Sequence, residues 1–273
     1  MLFGSCESKI YIFLFAICIA LCLVRSANAD LNLNDTIPCN TFDSKKIKLV
    51  TFDVFAALMD LDTSLKINIA EIVPTLSQKE VTSIAEQWEN AYGSYAGTVF
   101  DESVTGPSPF LWVLETSLTE ILNKMSIYVT KEQFTDLIDA WGHLIPWPDT
   151  SNVLTQIYNA GFKVATLSNG DVGTLTTAMQ IFAPNVSFSY YFSSDFPVGS
   201  FKPNEEMYRQ VESATSLNPT QILHVAGASS DGWGARNAGL YSALLSSPPY
   251  PKPPLPCFLL KNITELPAVL DII

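Results

Sequence analysis

From residue 147 to the C-terminus the sequence alternates between two textures, and this alternation restricts the fold more than any other feature. "DTSNVLTQIYNAG" reads as a helix closed by Gly161, and "FKVATLSNG" as a strand entering a glycine turn. "VGTLTTAMQIF" reads as a helix, "SYYFSSD" as a strand, "NEEMYRQVESAT" as a helix and "QILHVAGASSD" as a strand with a small-residue tip. A helix "GWGARNAG", late strands "YSALLSS" and "PCFLL", and a closing helix "LPAVLDII" follow. With "KIKLVTF" as the first buried strand, the rhythm predicts an α/β fold built on a doubly wound parallel sheet.

Between the first strand and this alternating region the texture is helical. "SQKEVTSIAEQWENAYGSY", "PFLWVLETSLTEILNKM" and "TKEQFTDLIDAWGHLI" place apolar residues three and four apart. Ser77 with Glu80 and Thr130 with Gln133 have the spacing of capping boxes. The expected organisation is a core domain at 47–60 and 147–273 with an inserted helical cap at 61–146. No internal repeat is visible, and "SSPPYPKPPLP" (246–256) reads as a stiff surface loop.

The N-terminus has a different character. Lys9 precedes an apolar run at 10–24, and Ala27-Asn28-Ala29 has the small-residue pattern of a cleavage site. The run is too short for a bilayer span, which needs about 18 or more apolar residues. Residues 1–29 therefore read as a signal peptide, followed by a polar leader at 30–46, and the mature protein is expected to be secreted. Losing Lys9, Arg25 and Glu7 moves the formal charge from −12 to −13. No basic patch remains to neutralise phosphates, so nucleic acid is not an expected partner. A membrane is not expected either once the leader is removed. A small-molecule substrate is, and self-association stays open.

Of the five cysteines only Cys39 and Cys257 lie beyond the leader. In an exported chain they could form one disulfide or stay as two unrelated thiols. Asn34, Asn185 and Asn262 head N-x-S/T sequons and are glycosylation candidates.

In open α/β sheets ligands sit beyond the carboxyl ends of the strands. "LVTFDVFAALMD" (49–60) runs an apolar strand into Asp53 with little polar company. A carboxylate there is costly unless paired or used. Asp53 either caps the next turn or is a nucleophile at the sheet edge. Three further polar tips follow: Ser168-Asn169-Gly170, which would also suit a plain turn, Lys202-Pro203, and the Ser-Ser-Asp ending at Asp231, which could cap a helix.

The stretches "TFDVFAALMD", "ATLSNGD", "SFKPNEEMY" and "HVAGASSDGWGARNAG", in this order around a helical insertion, resemble the haloacid dehalogenase superfamily. The likeness covers roughly residues 47–245. It implies that Asp53 attacks an electrophilic centre and forms a covalent ester that water then hydrolyses. Lys202 would neutralise and orient Asp53. Ser168 and Asn169 would donate hydrogen bonds, and Asp231 would hold Lys202 or orient the water.

Two branches of that family are distinguishable here. The magnesium-dependent phosphatases carry a second aspartate two residues after the nucleophile, where this chain has Phe55, and an early acidic ligand where it reads "VAGASS". Asp231 alone is a poor magnesium site, so neither metal nor cofactor is expected. Phe55 and Tyr208, six residues after Lys202, instead resemble the L-2-haloacid dehalogenase type and imply substrate contacts. The chain departs from that type in three places. Ala56-Ala57 replaces Gly-Thr, Ala228 replaces Asn, and Glu89 follows Trp88 where a cap arginine grips the substrate carboxylate. The only arginines are Arg25, Arg209 and Arg236, and lysine lacks the bidentate fork. Two functions thus stay open: a secreted hydrolase of dehalogenase type, or a non-catalytic relative that binds a ligand in the capped cleft. His143 and His224 give no metal-site spacing, and His224 reads as a core histidine.

Overall fold

The computed structural model describes residues 37–245 and 254–272. The signal peptide, the first part of the leader, Asn34 and most of the proline-rich stretch lie outside the described residues. Among those described, the strands are β1 (Leu49–Phe52), β2 (Met59–Asp60), β3 (Ile145–Pro146), β4 (Lys163–Leu167), β5 (Phe188–Phe192), β6 (Ile222–Ala226), β7 (Tyr241–Leu245) and β8 (Phe258–Leu260). Six of them form one parallel sheet in the order β5-β4-β1-β6-β7-β8. The chain therefore has the doubly wound α/β architecture that its sequence rhythm predicts. β1 is central, with Val50 in register with Val164 on one side and Leu223 on the other. All four of its residues are buried, which is why "LVTF" is not amphipathic.

The cap region begins at a two-stranded antiparallel ribbon. Met59 pairs with Pro146 and Asp60 with Ile145, bringing together the points where the chain leaves and re-enters the core. Its helices are α1 (Leu61–Ile72), α2 (Gln78–Ser94), α3 (Glu102–Thr105), α4 (Pro109–Met125) and α5 (Lys131–Asp139). Ser77/Glu80 and Thr130/Gln133 both form reciprocal capping boxes at the starts of α2 and α5. Such caps contribute about 1 kcal/mol each. Apolar faces at the predicted spacing bury Leu65, Ile69, Val81, Ile84, Val113 and Leu114. Trp88 is fully buried, and its indole N–H donates to the Leu114 carbonyl at 3.1 Å.

The core helices are α6 (Thr150–Asn159), α7 (Val172–Met179), α8 (Glu205–Thr215), α9 (Ser229–Asn237) and a short α10 (Leu266–Val269). Several boundaries differ from the sequence reading, each for a local reason. β1 starts at Leu49, not Lys46, because Asp43 accepts the Lys45 N–H and winds Ser44–Lys46 into a 3-10 turn. β5 stops at Phe192 because Ser194 turns back to bond the carbonyls of Gly170 and Asn169. α9 begins at Ser229, so Asp231 lies in its first turn and Ala228 takes the cap position. "LPAVLDII" yields only one helical turn, and Asp271 adopts a left-handed conformation just beyond it.

The described part of the leader packs on the far edge of the sheet. Cys39 is bonded to Cys257 across 218 residues of chain, with Cα atoms 5.2 Å apart. Phe42 meets the Tyr241 and Phe258 rings edge-on, with centroids 5.1 and 4.8 Å away. The Arg236 guanidinium donates to the Ile37 and Leu240 carbonyls. Asn185 and Asn262 are both exposed.

Because the disulfide closes a long loop, its loss should destabilise the protein through the unfolded chain more than through native contacts. Replacing Cys39 and Cys257 together by alanine should lower stability by about 2–4 kcal/mol while leaving the sheet intact. Urea unfolding followed by circular dichroism measures this, and an unchanged midpoint would exclude the contribution.

Candidate active site

Three neighbouring strands aim polar groups at one spot. β1 delivers Asp53, whose own N–H donates to the Val225 carbonyl on β6 and whose Oδ2 accepts the Ala56 N–H at 3.0 Å. The second bond closes a tight turn, so the carboxylate that ends the strand also shapes the loop after it. β4 ends on Ser168 and Asn169, and β6 leads through Gly227 into α9, which carries Asp231. A Cβ on Gly227 would collide with the Ala56–Ala57 backbone, so only glycine lets the two loops approach this closely.

Lys202 arrives from the segment between β5 and α8 and ties these tips together. Its ammonium donates to Asp53 Oδ1 at 2.8 Å, Asp231 Oδ2 at 2.7 Å and the Leu167 carbonyl at 2.8 Å. All three of its protons are thereby used. Its backbone N–H donates to Asn169 Oδ1 at 2.7 Å. The three charged side chains are buried, with 7%, 6% and 4% of Asp53, Lys202 and Asp231 exposed. Burial alone would lower the Lys202 pKa, but Asp231 and Asp53 beside it reverse the effect and raise it above its usual value. Burial would likewise raise Asp231, yet His224 and Lys202 hold it well below the ordinary carboxylate range.

Asp231 is fully engaged. Its Oδ1 accepts the Tyr208 hydroxyl at 2.8 Å and meets His224 Nε2 at 3.0 Å, while His224 Nδ1 lies 3.0 Å from the Thr51 hydroxyl. Of the two roles that the resemblance implies for Asp231, this geometry fits holding Lys202. Tyr208 is fully buried and points at Asp231, so burial pushes its hydroxyl pKa well up, with the Asp231 charge adding to it. Expected to contact substrate, Tyr208 is directed at Asp231 and is not among the residues lining the cavity. His224 was read as a core histidine and is one, but its partner belongs to the charged cluster. Periodicity locates a buried strand residue without saying which polar tip it faces.

Above the cluster lies a cavity of about 400 Å³. Asp53, Lys202, Asp231 and Asn169 line it from the core, with Phe55 and Ala56 from the nucleophile loop and Ala228 and Ser230 from α9 and its cap. Glu89, Asn90 and Tyr92 of α2 face it from the cap side. Phe55 stacks on Phe110 at 5.3 Å and meets Tyr92 edge-on at 5.9 Å, which gives the cavity an aromatic wall. Tyr92 has its hydroxyl pKa raised, first by burial and then by the Asp53 charge, with an Asn169 hydrogen bond opposing both. Ser168 is fully buried beneath, 3.5 Å from Asp53 Oδ1, and is not among the lining residues. Asn90 and Tyr92 carry no motif of their own, and only the helix phase that buries Trp88 hints at their direction. Among the described residues no group of three or more His, Cys, Asp or Glu side chains is arranged to hold a metal.

No family model matches the chain. It is 25% identical over 193 residues to the (S)-2-haloacid dehalogenase of Pseudomonas sp. (strain YL), covering 71% of this chain and 80% of that protein. Against the (S)-2-haloacid dehalogenase of Pseudomonas fluorescens it is 24% identical over 196 residues, with coverages of 71% and 82%. The structure of L-2-haloacid dehalogenase from Xanthobacter autotrophicus with chloropropionic acid covalently bound superposes with a TM-score of 0.68 at 22% identity, covering 82% of this chain and 98% of that one. In sequence the chain is thus similar to 2-haloacid dehalogenases, and it shares their fold. The resemblance is to the L-2-haloacid dehalogenase type.

Removing Lys202 would leave two carboxylates buried without their cation. Lys202→Met should therefore destabilise by about 3–5 kcal/mol in urea unfolding at neutral pH. The depressed Asp231 pKa makes its contribution complete above the usual carboxylate range and lost as pH falls through the lower folded value. Wild-type stability should therefore decline on acidification, and Asp231→Asn should flatten that decline. Equal acid slopes in the two proteins would exclude the linkage.

Proposed function

We propose that this chain is a secreted hydrolase of the haloacid dehalogenase type, with Asp53 as nucleophile. The observation that carries this reading is the buried Asp53–Lys202–Asp231 arrangement at the floor of a capped cavity. Lys202 and the Ala56 N–H fix both oxygens of Asp53, so the carboxylate is oriented before a substrate arrives. An Asp53 oxygen forms a bond to the carbon as the carbon–halogen bond breaks, and halide departs with the electron pair. Water then adds to the ester carbonyl, which releases the alcohol and a proton and regenerates Asp53. The covalent complex of the Xanthobacter enzyme supports a mechanism of this class. Splitting the displacement into two steps is the benefit of a covalent nucleophile. Export, with cleavage before Asp30, rests on the N-terminal sequence pattern alone.

The reading predicts that Asp53→Asn lowers halide release on the order of 10⁴-fold, since the amide carries no nucleophilic charge. Single turnover in oxygen-18 water should place label in the peptide containing Asp53, and label found only in the alcohol would exclude the ester. Turnover should be unaffected by EDTA. With Glu89 in place of a cap arginine, 2-haloacids should bind about ten- to a hundred-fold more weakly than an arginine-bearing site would allow. Efficient turnover of L-2-chloropropionate would contradict that last expectation.

A further inference from the structure

Every charged group facing the cavity is accounted for above except Glu89. The others are Asp53, Asp231 and Lys202, and the ammonium of Lys202 has no proton left for a ligand. Among the described residues, no lining group can therefore offer a free cation to a substrate carboxylate. Glu89 makes no hydrogen bond or ion pair with any described residue, although it is half-buried at the cavity wall. The basic side chain that influences it, Lys66, is itself bound to Asp62 at 2.7 Å. With three carboxylates and one cation, the cavity has an unbalanced negative charge.

Resting on the assignment of this cavity as the substrate site, the geometry points to a substrate whose second functional group is an ammonium, with Glu89 as the residue that selects it. An ammonium against Glu89 supplies the missing counter-charge, and a carboxylate there is repelled. Tyr92 and Phe55 add aromatic surface of the kind that attracts alkylated ammonium groups. The Glu89 pKa is raised, first by burial and then by the Asp62 charge, as befits a carboxylate in a negative field lacking its partner. The substrate class is a small alkyl halide with a cationic head. The halide carbon meets Asp53, and the products are an amino alcohol, halide and one proton. The sequence signal was the replacement of an expected arginine by glutamate, an inversion of charge and not merely a loss.

Two measurements on the full mature protein separate this subsite from the catalytic reading. In the first, calorimetric titration compares choline, its neutral isostere 3,3-dimethylbutan-1-ol, and butyrate. Choline should bind tightest and butyrate weakest, and Glu89→Gln should reduce the choline preference over the neutral isostere about ten- to a hundred-fold. Equal affinities, or a preference unchanged in Glu89→Gln, would overturn the inference whether or not the protein is an enzyme. In the second, chloride release is followed from chloroalkyl-trimethylammonium salts with ethyl, propyl and butyl spacers. A kcat/KM above that for 2-chloropropionate, reversed by Glu89→Arg, is expected. Preferential turnover of 2-chloropropionate by the wild type would refute the subsite. Absence of chloride release from every compound alongside selective choline binding would refute the hydrolase reading and leave the subsite standing.

Discussion

The ammonium of Lys202 is the point on which the rest of the site depends. It is buried between two carboxylates and a carbonyl contributed by β1, α9 and the end of β4. Placing those charges away from water is expensive, and their mutual attraction offsets the cost only with good geometry and the remaining lone pairs satisfied. Both conditions are met here. Asp53 has the Ala56 N–H in addition to Lys202, and Asp231 has Tyr208 and His224. The strand order with β1 between β4 and β6 brings the three tips within reach of one side chain. A sheet wound in another order would leave Asp53 unpaired.

That dependence runs outward through the packing. Gly227 lets the β6 tip press against the Ala56–Ala57 backbone, and Gly234 leaves room beside the Tyr208 hydroxyl, where any Cβ would collide. The fully buried Phe201, next to Lys202, lies 5.9 Å from Tyr92 and 4.8 Å from Phe100 in ring-centroid distance, which links the lysine segment to the cap. An antiparallel bridge between Val99 and Ser200 adds a second tie. The same short segment thus holds the charged cluster below and the cavity wall above.

How much of this could be read from sequence depends on the range of the forces involved. Asp53 was legible because an apolar strand ending on a carboxylate is anomalous by itself. The two capping boxes were legible because their bonds span three residues. Lys202 stands in a loop with no periodicity, so only the ordered set of motifs drew attention to it. Tyr208 and His224 could be placed on a helix and a strand, but their partner Asp231 is 23 and 7 residues away, respectively. Which face of each element turns towards it is decided by tertiary packing. The leader reads as polar, yet Phe42 packs against Tyr241 of β7 and Phe258 of β8, and Cys39 bonds to Cys257 beside them.

The charged network and the far wall of the cavity come from different parts of the chain, and they differ unequally from the dehalogenase pattern. The groups that would form and hold the ester, Asp53, Lys202 and Asp231, come from the core and keep one mutually satisfied network. The groups that face the cavity from the other side, Glu89, Asn90 and Tyr92, come from α2 of the cap. A change within the network leaves a buried charge unpaired and threatens the fold. A change at position 89 costs no contact of this kind, because Glu89 has no hydrogen-bond or ion-pair partner among the described residues. The charge at this position can thus invert at little structural cost while the buried network stays as it is. Ala228 fits the same logic on the core side: it lines the cavity and offers only a methyl group where the dehalogenase type has asparagine. A cavity altered at these positions has lost polar contacts suited to an anion while keeping the carboxylate that would attack. That combination favours a change of substrate over a loss of chemistry.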